Sequence, residues 1–258
     1  MKPFCFLLFL LAAGSGQALH AQEFKTKFPS RQDRRLTLEM HGSDVVVEAY
    51  DGDELVVRGD GYEAPPKRAE GLRPVYNSAV DNTRLGLSVV PDGNTLRVVQ
   101  ASRKNVTYTL RVPRRTALLY TETTWDGSDL NVSGLAGSLE LNLKSGDATL
   151  TGVTGPVVAH GTNGSITLRF GAAPTAPTSV SLINGTLDVT LPAATKAELA
   201  LRSISGEIYT DFDLNPRPAP DGLTRVGGQR TITVPLNGGG PKLSLHTING
   251  DIFVRKAK

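Results

Sequence analysis

The sequence predicts an all-β fold: a single-stranded β-solenoid of the parallel β-helix kind, preceded by an irregular β region. A β-sandwich of the same strands is the alternative. Three observations predict it. First, helical periodicity is not sustained, while apolar–polar alternation of period two recurs in "DVVVEAY" (44–50), "TLRVVQ" (95–100), "TYTLRVP" (107–113) and "SLELNL" (138–143). Second, one motif returns after residue 120: "HGTNGSITLRF", "SLINGTLDVTLP", "RSISGEIYTDF" and "HTINGDIFVRK". Third, each return is centred on a glycine, at Gly127, Gly146, Gly164, Gly185, Gly206 and Gly250, spaced by 19, 18, 21, 21 and 44 residues. The last interval is two of 22 with Gly228 at its midpoint, and periods of this size indicate stacked units.

The elements follow in chain order. Residues 1–21, "MKPFCFLLFLLAAGSGQALHA", read as a signal peptide: Lys2, an apolar stretch from Phe4 to Ala13, and a small-residue tail ending at Ala21. That stretch is shorter than the roughly 20 residues of a membrane span, so the rival reading as an anchor is the weaker one. Cleavage removes Cys5, the one cysteine, so the mature chain can have no disulfide and no cysteine metal site. No second apolar stretch is long enough to cross a bilayer. The protein is therefore expected to be exported, periplasmic or extracellular, and held by burial and backbone hydrogen bonds.

Residues 22–120 are expected to form an N-terminal β region that caps the stack and continues into it. Val45, Val47, Leu55 and Val57 lie in the inward phase of two strands that follow glycines. Residues 61–84, "GYEAPPKRAEGLRPVYNSAVDNTR", lack alternation and read as a loop, followed by strands near 85–90, 95–100 and 106–112. Residues 121–258 are the repeats, of about 18–22 residues. Before each glycine stands Asp126, Ser145, Asn163, Asn184, Ser205 or Asn249; after it, Ser128, Asp147, Ser165, Thr186, Glu207 or Asp251. Asn-Gly and its analogues favour positive φ and a sharp turn, so each glycine is expected at a corner. Outward from the corners, Leu168, Val189, Ile208 and Val254 lie in one inward phase on the C-terminal side, and Leu141, Val180 and Leu245 on the N-terminal side. Residues 213–230, rich in proline, interrupt the repeat.

The order of four segments resembles the bacterial "putative adhesin" family of β-strand-repeat proteins, a domain of unknown function. They are "LTLEMHGSDVVVEAYDGDELVVRG", "YTLRVPRRTALLYTE" with a Val-Pro closing a strand, "VSGLAGSLELNLKSGDATLTGVTGPVVAHGTNGSITL" and "LSLHTINGDIFVRK". Together they span roughly residues 36–256. The resemblance implies a solenoid-like fold in a cell-envelope or secreted setting and brings no catalytic residues.

Residue chemistry adds little reactivity. Net charge is +3, or +2 once Lys2 leaves, with both signs interspersed, so a nucleic-acid partner is not expected. His160 and His246 share an outward column but stand 86 residues apart, about four repeats, too far to share a metal. His41 is the third mature histidine. Asp147, Asp188, Glu207, Asp211 and Asp251 are the carboxylates a glycosidase pair would have to draw on. Glu207 and Asp211 lie on one repeat, with Asp188 expected on the neighbouring one. Acids beside glycine corners are expected as turn chemistry in any case. "DGDE" (51–54) and "GDGYE" (59–63) do not match a calcium loop, and no phosphate-binding or serine-elbow motif occurs. Four formal glycosylation sequons, such as "NVT" at 105–107, follow from the Asn-Gly and strand pattern. No catalytic residue, metal or cofactor is expected.

Tyr209 and Phe253 stand three residues after a corner, in the outward phase, as a candidate ligand-contact surface; the alternative is that the 213–230 excursion folds back and covers them. The expected function is a secreted or periplasmic, non-enzymatic surface module, binding or structural, whose partner is a cell-surface glycan or protein. A carbohydrate-active enzyme on the same scaffold and a cell-envelope sensor or assembly factor are the alternatives.

Overall fold

The computed structural model describes residues 22–72, 74–77, 79–214 and 231–258. Residues 1–21, expected to be a signal peptide, Gly228 and all but the first two residues of the 213–230 excursion lie outside them. Among the described residues, seven strands precede the repeats: β1 (Glu23–Lys27), β2 (Arg35–Met40), β3 (Val45–Tyr50), β4 (Glu54–Asp60), β5 (Leu87–Asp92), β6 (Thr95–Gln100) and β7 (Thr107–Pro113). The repeated region holds β8 (Ala117–Glu122), β9 (Leu130–Ser133), β10 (Leu139–Leu143), β11 (Ala148–Val153), β12 (Val157–Gly161), β13 (Ile166–Phe170), β14 (Thr178–Asn184) and β15 (Leu187–Leu191). The last five are β16 (Ala197–Ser203), β17 (Ile208–Thr210), β18 (Ile232–Leu236), β19 (Lys242–Asn249) and β20 (Ile252–Lys256). The loop at 61–84 contains one short 3₁₀ turn, Lys67–Ala69.

These strands make two ten-stranded mixed sheets. The first has the order β1-β4-β7-β3-β9-β11-β13-β15-β20-β17; the second runs β18-β16-β19-β14-β12-β10-β8-β2-β6-β5. From β8 to β15 the chain alternates between sheets, and each strand pairs in parallel with the next but one. The alternation explains this: one face of every strand is apolar, and crossing to the opposite sheet turns the next apolar face toward the same interior. Leu168, Val189 and Val254 are in register, all essentially without exposure, inside one core that takes side chains from both sheets. Each such side chain contributes roughly 1.5–3 kcal/mol when fully buried. Val45, Val47, Leu55 and Val57 belong to that same core, so the N-terminal strands extend both sheets. The two-layer arrangement is the sandwich-like layering left open by the sequence.

Three expectations need correction. The first is order. The Gly206 and Gly250 units are not two steps apart; β20 pairs with both β15 and β17, and β19 with both β14 and β16. The last pair of strands is thus inserted beneath the pair that precedes it in sequence. The same happens at the other end, where β2 lies between β6 and β8 and β3 lies between β7 and β9. Uniform parallel coiling also fails at the ends, where β1, β4, β5 and β18 pair antiparallel.

The second correction is the corner column. Ala148 aligns with Leu130, so Gly146 stacks on Ser128, not on Gly127. The column runs Ser128, Gly146, Gly164, Gly185, Gly250, Gly206. The third is why glycine is needed. Gly185 and Gly250 have positive φ, as expected, but Gly146 and Gly206 do not. A Cβ on Gly146 would lie 1.8 Å from the Ser128 carbonyl oxygen, and one on Gly206 would lie 2.0 Å from that of Gly250. At these two corners it is the close approach of successive turns, rather than the turn angle, that excludes a side chain.

The sheet edges are blunted. Pro91 and Pro235 sit in the edge strands β5 and β18, β1 carries Lys25 and Lys27, and β17 has only three residues. These features discourage pairing with another chain.

Candidate functional site

Tyr209 and Phe253 are brought together by the rearranged strand order. β17 pairs with β20 so that Tyr209 stands directly opposite Phe253 on the outer face of the first sheet. Neighbouring strands are about 4.8 Å apart. The rings accordingly stack, with centroids 5.0 Å apart and planes 11° from parallel. On the other side of β20 lies β15, whose Asp188 pairs with Phe253. Arg255 leans that way: its Nε donates to both Asp188 oxygens at 3.1 and 3.2 Å, and its guanidinium carbon sits 4.9 Å over the Phe253 ring. The layers therefore run Asp188, Arg255, Phe253, Tyr209. Tyr209 is half exposed, at 50%, and no described strand lies beyond β17. The two rings use one face each on one another, and Arg255 covers the second face of Phe253. What solvent meets is one face of Tyr209 and the ring edges. This ring can accept the apolar face of a sugar or a planar group by stacking.

The sheet around the pair is polar. The outward column from Phe253 continues through Asp188, Thr167, Thr149 and Asn131. The corner edge beside it carries an amide ladder: Asn184 Nδ2 donates to Asn163 Oδ1 at 2.9 Å, and Asn249 Nδ2 to Asn184 Oδ1 at 2.8 Å.

The other candidates are drawn into local structure. Asp147 accepts from the Ser165 N–H, Asp251 from the Glu207 N–H, and Asp211 from the Lys256 N–H. Asp188 does not neighbour Glu207 or Asp211, as the spacing had suggested, because β20 lies between their strands. His160 and His246 are nearer than expected, since only β14 separates β12 from β19. Two strand spacings are still roughly 10 Å, with Ser181 in register between the two histidines. Burial, and then the Arg202 charge, lower the His246 pKa from its ordinary value. Among the described residues no group of three or more His, Cys, Asp or Glu could hold a metal. His41 hydrogen-bonds the Ser102 carbonyl.

Sequence reasoning missed two polar centres. Glu122 is buried, and its Oε2 accepts from the backbone N–H groups of Lys144, Ser145 and Gly146 at 2.6, 2.9 and 3.2 Å. An acid in the inward phase of "ALLYTE" was the available signal. Asp81 gathers Tyr62, Thr83, Arg84 and Gly86 around one carboxylate. No periodicity marks that one, because it lies in a loop.

No family model matches the chain, and no curated protein matches it. Solved structures do share likeness. One, described as a "putative cell adhesion protein" from Clostridium sporogenes, has 10% identity and a TM-score of 0.48, covering 92% of this chain and 100% of its own. A "putative adhesin" from Bacteroides fragilis has 13% identity and a TM-score of 0.41, over 93% of this chain and 98% of its own. A "putative lipid binding protein" from Parabacteroides distasonis has 11% identity and a TM-score of 0.25, over 92% of this chain and 96% of its own.

Proposed function

We propose that the mature chain is an exported, non-enzymatic binding module: a two-sheet solenoid whose stiff outer face contacts an extended cell-surface glycan or protein at several points. The carrying observation is the Tyr209 ring, half exposed on the last described strand of its sheet and continuous with a column of Thr, Asn and Asp. The stacked strands hold that face in place before binding, which lowers the ordering cost. Stacking on Tyr209 supplies one anchor, and the Asn163–Asn184–Asn249 ladder supplies spaced amides for hydrogen bonds. An acid pair working on a sugar would need two carboxylates left available at a groove; Asp147, Asp251 and Asp211 are engaged by backbone N–H groups and Asp188 by Arg255, which leaves Glu207 without a second free acid among these five.

The test is binding of residues 22–258 to a glycan array and to isolated cell walls. Wild type is expected to bind, and Tyr209→Ala to weaken binding about tenfold, the value of one good stacking contact. Phe253→Ala should weaken it less, by releasing the Tyr209 ring from its support. Binding unchanged in Tyr209→Ala removes this reading, and release of reducing ends from the bound glycan would favour the enzyme alternative.

A further inference from the structure

The loop at 61–84 exposes more apolar surface than a solvated loop needs. Leu72, Val75, Tyr76 and Val80 are 71%, 88%, 78% and 65% exposed, within nine residues of one another. Single exposed apolar residues are ordinary, but a cluster of four large ones marks an interaction site. The cluster is held out on a fixed neck. Tyr62 donates to Asp81 Oδ2 at 3.0 Å, tying the two ends of the loop together. The same carboxylate accepts from the N–H groups of Thr83, Arg84 and Gly86, and Tyr108 donates to the Leu85 carbonyl at 2.7 Å. Burial pushes the Tyr62 hydroxyl up to about 12.

Exposed Glu70 precedes the tip, but cations outnumber it there. No acidic residue occurs between positions 71 and 80. Lys67 and Arg68 are exposed on the 3₁₀ turn beside it, and Arg103 stacks over the Tyr76 ring at 5.5 Å from its centroid. None of these three cations has an ion pair among the described residues, whereas the nearby Glu63 is taken by Lys104 at 3.2 Å. Aliphatic side chains and a tyrosine flanked by cations fit the boundary between acyl chains and anionic head groups. Position agrees: the loop joins β4 to β5, the outermost strand of its sheet, at the end of the stack where β1 also lies. Tyr209 stands at the opposite end.

We infer that this loop is a membrane-docking tip, which seats the N-terminal end of the stack on an anionic lipid surface through Leu72, Val75, Tyr76 and Val80 with Lys67, Arg68 and Arg103. The inference is independent of the role given to Tyr209. Docked end-on, the chain would hold its far end away from the bilayer.

The experiment uses residues 22–258 and sedimenting vesicles of phosphatidylcholine alone or mixed with phosphatidylglycerol. Wild type should partition onto the anionic vesicles. The variant Leu72→Ser, Val75→Ser, Tyr76→Ser, Val80→Ser should lose about tenfold or more of that partitioning. Lys67→Glu with Arg68→Glu should lose a similar factor and flatten its salt dependence. Because all six side chains are exposed, thermal unfolding should be unchanged in both variants. In a Trp125→Phe, Tyr76→Trp chain, tryptophan emission should shift to the blue on adding anionic vesicles. Equal partitioning of wild type and the serine variant, or no partitioning of wild type, overturns the inference; capture of a protein by the loop without vesicle binding would point to a protein partner instead.

Discussion

The corner column reads differently in the two halves of the molecule. In the N-terminal half the stacked positions are Val106, Ser43 and Ser128; in the C-terminal half they are Gly146, Gly164, Gly185, Gly250 and Gly206. The first set closes its corners with side chains. Ser43 Oγ accepts from the Val106 N–H at 3.0 Å, the Ser128 hydroxyl meets that of Tyr120 at 3.3 Å, and Gln100 receives the His41 N–H at 2.9 Å. The second set closes them by bringing backbone onto backbone, so near that no Cβ fits at Gly146, Gly185, Gly206 or Gly250. Glu122 sits at the seam, its carboxylate accepting from the N–H groups of Lys144, Ser145 and Gly146 at the first glycine corner. Side-chain corners demand particular partners and so vary; glycine corners demand only that a side chain be missing, and so repeat.

Substitutions can break this contrast. The largest effect is expected from Gly146→Ala: its Cβ would overlap the Ser128 carbonyl, and urea unfolding should show a loss of about 3 kcal/mol or more. Gly127→Ala, whose Cβ would make only an ordinary contact with the Ser145 carbonyl oxygen at 3.6 Å but whose φ is 70°, should cost only about 1–2 kcal/mol. Equal losses would show that turn angle, not close approach, controls these corners. Next comes Glu122→Ala, which strands three N–H groups; about 2–3 kcal/mol should be lost, with Glu122→Gln recovering part of it.

The side-chain half should carry the alkaline sensitivity. Burial, ahead of neighbouring charges, raises Tyr108, and burial raises Tyr120 to about 12. A raised folded pKa means stability is intact below the unfolded value near 10 and is lost as pH climbs toward 12. For Tyr120 alone the loss is about 2–3 kcal/mol, and Tyr120→Phe should flatten unfolding curves measured from pH 9 to 12. The smallest effect belongs to the glycine half. His246 has a lowered folded pKa, so stability is complete above 6.5 and slopes down as pH falls below it. His246→Asn should remove that shallow slope; an unchanged pH profile would place the acid sensitivity elsewhere.

Strand positions and their inward phases were legible in the residues, from Val45 and Val47 through Leu168 and Val189 to Val254. So was the outward placement of Tyr209 and Phe253. The Glu122 and Asp81 centres were not, because their partners are backbone groups some 20 residues distant or loop positions without a period. Gly127 misled for a related reason: it has the right neighbours, yet lies one residue from the column.

Local chemistry decides what local chemistry can reach: alternation sets which face of a strand is apolar, and a small polar residue before glycine sets where the chain bends. It cannot decide which strand lies beside which. Backbone ladder bonds carry no side-chain identity, and strands of like phase and length are interchangeable neighbours. The insertion of β19 and β20 beneath β16 and β17, which puts Phe253 against Tyr209, therefore arises only when the strands compete to bury their faces in one core.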